Sequence, residues 1–344
     1  MVAIEPMEAL LVDELPTDAG WCFEPKWDGF RCVAEKQGGK VQLHAKSGKP
    51  LHRYFPEIVG ALEAINADDF ILDGELCIHV EGAVSFELLQ LRLHPAESRI
   101  RKLSHETPAV LILFDLLVNS GGKPVADQPL GDRQRMLHSF FETAHSASLR
   151  LSPTTQSMTE AREWLARSGG AVDGVIAKRL SDAYRPGERA MLKVKNIRTA
   201  DCVVGGFRYA TGSKIIGSLL LGLYDKDGLL NHVGYTSALA RKDKAALTST
   251  LEARKGEGFT GDAPGGPSRW STERSSEYVP LRHELVVEVS YDHISGGRFR
   301  HGTALRRWRP DKAPRQCTDD QMRPPGQPPA AIRDALRAPP DAAT

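Results

Sequence analysis

The run Glu24-Pro25-Lys26-Trp27-Asp28-Gly29-Phe30-Arg31 contains the pattern K-x-D-G-x-R, a lysine ahead of an Asp-Gly turn with an arginine beyond it. In a chain of 344 residues this pattern arises by chance with odds of roughly one in a hundred. The chemistry the spacing suits is nucleophilic attack by the lysine amine, with Arg31 at hand for phosphate or sugar. A lysine attacks only when neutral, so cationic neighbours, a metal or burial must lower its pKa. The competing reading is an exposed turn lysine. Further groups follow in order: Ile71-Leu72-Asp73-Gly74-Glu75-Leu76, with carboxylates at a strand end; Leu113-Phe114-Asp115-Leu116-Leu117, an aromatic inside an apolar run; Asp173-Gly174-Val175-Ile176-Ala177-Lys178; Leu192-Lys193-Val194-Lys195; and Arg307-Trp308-Arg309-Pro310-Asp311-Lys312. Each alone reads as core, turn or solvated strand. Six in one chain are hard to dismiss together.

The elements that must position these residues mix strands and helices. Phe30–Lys36 and Val41–Ala45 read as a hairpin around Gln37-Gly38-Gly39-Lys40. Phe70–Val80, Val110–Leu117, Asp173–Arg179 and Met191–Lys195 read as strands. Pro56–Ile65, Phe86–Leu93, Gly131–Thr143 and Thr159–Arg167 read as helices. Period two puts Lys193 and Lys195 on one strand face. Strand and helix do not alternate regularly, which favours an α+β fold. From Asp201 the pattern changes to short strands (DCVVGGFRYA, GSLLLGLYD, LLNHVGYTS, LVVEVSYDHI) with a helix over Arg241–Arg254 and a Gly/Pro-rich loop over Gly256–Trp270. That pattern suits a small barrel of the OB type. The reading is therefore three segments: 1–197, 198–318, and a Pro-rich tail over 319–344 expected to be flexible.

A length of 344 residues implies more than one domain. Hydrophobic residues at 41% and charged residues at 26% are ordinary for a globular protein. No apolar run reaches a bilayer span, and the acidic start lacks a basic segment followed by an apolar one, so a cytoplasmic protein is expected. Cys22, Cys32, Cys77, Cys202 and Cys317 form no CxxC pair, which argues against a zinc site and for buried thiols. The net charge of +1 hides two basic stretches, Lys178–Arg198 and Arg298–Arg315. They suggest a local polyanion site or, on charge alone, two solvated surfaces.

The ordered series resembles the covalent nucleotidyltransferases, which include DNA ligases, RNA ligases and mRNA capping enzymes. Within them the chain most resembles the bacterial ATP-dependent ligase C group, through GSLLLGLYD, PGGPSRW, ELVVEVSYDH, GGRFRHGT and LRRWRPDK. The resemblance implies an adenylation domain of antiparallel sheets and helices followed by an OB-fold domain. It implies that Lys26 attacks the α-phosphorus of ATP, passes AMP to a DNA 5′-phosphate, and so allows nicks to be sealed in DNA repair. Glu24 would read the adenine edge and Phe114 would stack on the ring. Arg31 and Glu75 would hold the ribose. Lys193 and Lys195 would neutralise the α-phosphate and depress the Lys26 pKa. Glu75 and Asp173 would hold Mg²⁺ or Mn²⁺, and Arg309 and Lys312, with Asp311, would orient pyrophosphate.

Three positions depart from the family pattern. Lys46 stands where arginine is usual for the nick phosphate, and lysine lacks the bidentate fork. Asp173 replaces a glutamate, and Met191 an aromatic. The expected partner is nicked double-stranded DNA, with DNA-end-binding or gap-filling repair proteins as further candidates. The expected state is a monomer in a bacterial cytoplasm, associated with the nucleoid. Two other readings stay open: an RNA ligase or capping-type enzyme, and a non-catalytic nick- or end-binding module. An NAD-dependent ligase is disfavoured, because the zinc cysteines and the length are missing.

Overall fold

The computed structural model describes residues 4–80, 83–144, 146–169, 171–239, 244–265, 277–300, 302–323 and 326–337. The chain divides into two units, Met1–Asn196 with Pro324–Thr344, and Ile197–Arg323. The elements of the first unit are β1 (Ala9–Leu11), β2 (Trp21–Trp27), β3 (Phe30–Gln37), β4 (Lys40–Ala45), α1 (Pro56–Glu63), β5 (Phe70–Cys77), β6 (His79–Val80), β7 (Ala83–Val84), α2 (Phe86–Leu91), α3 (Glu97–Glu106), β8 (Val110–Val118), α4 (Leu130–Ala144), β9 (Leu149–Leu151), α5 (Met158–Ala166), β10 (Val172–Arg179) and β11 (Met191–Lys195). Those of the second are β12 (Arg198–Tyr209), β13 (Ile216–Tyr224), β14 (Leu230–Thr236), α6 (Lys244–Glu252), β15 (Val279–Pro280), β16 (Val286–Tyr291), β17 (Ile294–Ser295), β18 (Arg298–Phe299) and β19 (Ala304–Trp308). A last helix, α7 (Ala330–Leu336), belongs to the first unit.

Two larger sheets and the small β6–β7 hairpin build the first unit. One of the larger sheets has the order β1-β11-β10-β2 and the other β4-β3-β5-β8-β9. Both are antiparallel except at one edge each, where β1 runs parallel to β11 and β9 to β8. The β3–β4 hairpin turns on Gly38 and Gly39, with φ of 54° and 78°. A side chain is strained there, which is why two glycines suit a two-residue hairpin turn. Buried Leu43, Phe55, Ile58, Leu62, Phe70, Leu111 and Phe140 form a core between the five-stranded sheet and its helices. Helix α3 is not anticipated above. Only Ile100 and Ser104 of its ten residues are buried, so its apolar period is nearly invisible.

In the second unit the strands run β14-β13-β12-β16-β19, with β15 also on β12, and every strand pairing is antiparallel. An isolated bridge between Thr236 and Thr303 links the end of β14 to the residue before β19, so the sheet curls back on itself. This is the OB-type barrel expected from short strands and turns. The helix expected over Arg241–Arg254 is α6; residues 241–243 of that expectation, and 266–270 of the expected loop, lie outside the described residues.

The flexible tail needs correction. The second unit continues to Arg323, and α7 then packs on the first, where Ile332 and Leu336 are 0% and 2% exposed beside Trp164. Proline content suggested disorder, but Pro328 and Pro329 precede the helix, where a missing N–H costs nothing. Ile332 and Leu336, four apart, form one apolar stripe.

Candidate active site

Most of the candidate side chains gather in a cleft of about 250 Å³ lined from both sheets of the first unit, although Asp173 and Lys195 are not among its lining residues. From the four-stranded sheet come Glu24 and Lys26 of β2, Ile176 and Lys178 of β10, and Met191 and Lys193 of β11. Each pair is two residues apart, so each presents both members to one face. The register sets Ile176 opposite both Glu24 and Lys193. From the five-stranded sheet come Arg31 of β3, Glu75 of β5 and Phe114 of β8, with Arg31 directly opposite Glu75. Lys46, from the turn after β4, and Pro6–Ala9 complete the rim.

Two glycines make this approach of strands feasible. A Cβ on Gly29 would lie 2.1 Å from the carbonyl oxygen of Leu76, so only glycine lets the β2–β3 link press on β5. There the Gly29 N–H donates to Glu75 Oε1 at 3.2 Å. Gly174 has φ 154° and a Cβ there would lie 2.1 Å from the Val194 carbonyl oxygen. Asp173 sits at a register shift between Val172 and Gly174 in the β10–β2 ladder. Such an irregularity re-aims a side chain that strict alternation would send to the other face. The result is a 3.0 Å ion pair between Lys26 Nζ and Asp173 Oδ2.

That pair corrects one expectation. Burial pulls the Lys26 pKa down, but Asp173, with Glu75 and Asp28, outweighs it and holds the ammonium above the ordinary lysine range. In the ligand-free state the carboxylates therefore outweigh both burial and the repulsion that Lys193 exerts on Lys26. Lys193 itself is lowered, by burial first and then by the charges of Lys26, Lys195, Lys46 and Arg189. Lys195 follows Lys193 on the same strand face, opposite Gly174. Burial raises Glu75 to about 7, against the pull of Arg31 and Lys26. The Asp73–Glu75 carboxylates lie within β5, not at its end.

Around Phe114 the site is cationic. The Arg31 guanidinium lies 4.5 Å from the ring centroid and Lys178 Nζ 4.8 Å. Arg31 is clamped by Asp73 through two hydrogen bonds of 2.6 and 2.5 Å. The Tyr184 hydroxyl donates to Asp73 Oδ2 at 2.6 Å and accepts from the Met7 N–H at 2.8 Å. Lys178 pairs with Glu24 Oε2 at 2.7 Å, both buried. Glu24 Oε1 is buried and, among the described residues, has no hydrogen-bond partner. Burial, opposed by Lys178, raises the Glu24 pKa.

Asp73, Lys178 and Tyr184 are contributors that motif reading did not assign. Lys178 had a signal, since it follows Ile176 at strand spacing. Tyr184, more than a hundred residues from Asp73, had none. Arg309 and Lys312 belong to the second unit, whereas the cleft lining comes wholly from the first. There both bind Asp201, at 2.9 and 2.7 Å, and Arg309 also binds Asp311. The hydrogen bond from Arg309 pulls Asp311 down to about 2.

Residues 7–195 match the protein-family model for the ATP dependent DNA ligase domain, and residues 212–312 that for the ATP dependent DNA ligase C terminal region. The chain is 40% identical to DNA ligase C of Mycobacterium tuberculosis over 94% of each chain. It is 40% identical to DNA ligase C2 of Mycolicibacterium smegmatis over 93% of this chain and 94% of that one. A solved structure from a structure-function study of Lig E DNA ligases shares the fold, with a TM-score of 0.56 and 17% identity over 88% of this chain and 99% of that chain. The lysine-centred cleft thus lies within one ligase family model and the curled sheet largely within the other, and the chain belongs to the ATP-dependent DNA ligases.

Proposed function

We propose that this ligase seals nicks in duplex DNA with Lys26 as the residue that carries AMP. The observation that supports this most is the setting of Lys26. Lys26 lines a cleft together with Glu24, whose buried Oε1 has no hydrogen-bond partner among the described residues, and with Phe114 from the other sheet. The acceptor and the ring suit a purine bearing an exocyclic amine: Glu24 accepts from the amine and Phe114 stacks on the base. Arg31, clamped by Asp73, and Glu75 take the ribose. Lys193 and Lys195 meet the α-phosphate.

Neutral Lys26 Nζ then attacks the α-phosphorus. The bond to the bridging oxygen breaks, pyrophosphate leaves, and a lysyl–AMP phosphoramidate remains. A DNA 5′-phosphate oxygen displaces Lys26 from AMP, and the 3′-hydroxyl next displaces AMP to close the nick. Asp173 and Glu75 offer hard oxygen donors suited to Mg²⁺ or Mn²⁺. Such an ion supplies charge to the developing phosphate negative charge, and its hold on Asp173 would free Lys26 from its ion pair. Lys46 offers a single point charge for the nick phosphate. Arg309 and Lys312 orient pyrophosphate once they leave Asp201.

The test is transfer of label from α-labelled ATP to protein and then to nicked DNA. Lys26→Ala should carry no label, and neither should Lys26→Arg, whose guanidinium stays protonated. Label retained in either variant would falsify the assignment. Labelling by GTP in preference to ATP would favour capping chemistry, and sealing of nicked RNA over nicked DNA would favour RNA ligation.

A further inference from the structure

The segment before β1 adds a third carboxylate, Glu8, to a cleft that Glu24 and Glu75 already line. Glu8 lines both the Lys26 cleft and a neighbouring cavity beside the turn at Lys46. Its Oε1 lies 2.8 Å from Lys46 Nζ and its Oε2 3.7 Å from Arg189 Nε. Lys193 also acts on its charge. Each oxygen therefore has its own cation, Lys46 from the turn after β4 and Arg189 from the loop before β11.

The position of Glu8 is set by backbone, not by chance contact of long side chains. Its N–H donates to the Glu188 carbonyl at 2.8 Å and its carbonyl accepts from the Met191 N–H at 3.3 Å. One residue earlier, the Met7 N–H donates to Tyr184. The two cations are the more exposed partners, with side chains 59% and 69% exposed against 30% for Glu8.

A carboxylate bridging two cations occupies the place a phosphate ester would take. Like a phosphodiester, it carries one negative charge and offers two oxygens that accept from cationic donors. We propose that Glu8 is a specificity-determining residue: it fills the Lys46–Arg189 anion position in the ligand-free protein, and an incoming phosphate ester must displace it. This rests on the reading of the cleft as a nucleotide and nick site. Glu8 thereby lowers affinity for phosphate esters and prevents the basic rim from retaining them after reaction. The ester can come from the ATP triphosphate or from the DNA backbone.

The experiment compares wild type, Glu8→Gln, Lys46→Ala and the double variant, with Glu142→Gln on α4 as a charge-matched control. Anisotropy with a pre-adenylylated nicked duplex in EDTA gives Kd for the DNA source. The KM for ATP in self-labelling gives the nucleotide source. Glu8→Gln should tighten one of these two- to fivefold, about the range of an exposed ion pair, without raising kcat. The ligand that gains identifies the source. The gain should vanish when Lys46 is already alanine. The proposal is overturned if Glu8→Gln leaves both constants unchanged or weaker, if Glu142→Gln gives the same gain, or if the gain survives in the Lys46→Ala background. Binding in EDTA needs no turnover, so it judges Glu8 even if Lys26 carries no AMP. A wild type that labels normally beside an unchanged Glu8→Gln sinks the Glu8 proposal alone.

Discussion

At the scale of single residues, the site holds carboxylates and cations in pairs: Lys26 with Asp173, Arg31 with Asp73, and Lys178 with Glu24. Glu75 is the clearest titrating case. Burial raises its pKa from 4.5 to about 7. A carboxyl group whose folded pKa is raised stabilises the protein fully below its unfolded pKa. That contribution is lost as pH rises from about 4.5 and is gone above about 7, on the order of 1–3 kcal/mol. Glu75→Gln cannot ionise and keeps its contribution at all pH. Thermal unfolding of the ligand-free protein should therefore show wild type losing stability relative to Glu75→Gln as pH rises from about 4.5 to about 7. Parallel pH profiles for the two proteins would place the titration elsewhere. The same logic governs Lys26, whose charge is stabilised by Asp173 until another cation takes that carboxylate.

At the scale of elements, strand register is what turns separated motifs into one site. The irregularity around Asp173 depends on Gly174, whose backbone conformation and contact with β11 exclude a side chain. Gly174→Ala should destabilise the first unit by at least about 2 kcal/mol, since it combines strain with overpacking. Because β10 must shift to relieve the clash, Asp173 should leave Lys26 and self-adenylylation should fall more than tenfold. The check is Tm beside single-turnover labelling at a temperature where the variant is folded. Full labelling by a destabilised variant would mean that Asp173 aim does not depend on this glycine. Gly29 obeys the same geometry on the other sheet, where it brings a donor to Glu75.

At the scale of the whole molecule, the second unit is inserted between the body of the first and its last helix. Ile332→Ala removes a side chain that is 0% exposed. It should cost the first unit about 2–4 kcal/mol while leaving unfolding of the second unit unchanged. Calorimetry resolving the two transitions would decide, and an unmoved first transition would show that α7 is dispensable. Chemistry can also be divided between the units. In the proposed mechanism the Asp201-bound cations Arg309 and Lys312 act on pyrophosphate alone. The double alanine variant should label with AMP at least tenfold more slowly, yet seal a nick whose 5′ end already carries AMP. Equal loss of both activities in a folded variant would reassign this stretch to DNA-phosphate contact. No helix among the described residues is long and apolar enough to cross a membrane.

Sequence alone determined the chemistry on offer. The order from Lys26 through Lys312, and strand spacing such as Lys193 and Lys195, are one-dimensional facts about side-chain type and period. They sufficed for the α+β and barrel classes, because hydrophobic period and turn residues are local. Tertiary structure decided which charges meet. Lys26 faces Asp173 because of a register irregularity that no period encodes. Arg31 is fixed by Asp73 and Tyr184, from distant strands and loops. Lys178 became the partner of Glu24 through pairing of β2 with β10. The C-terminal helix was hidden because its identity lies in two apolar residues that acquire meaning only against Trp164. Local sequence specifies element and reactivity; long-range register and burial specify protonation, partner and aim, since electrostatic energy depends on distances that only the folded chain defines.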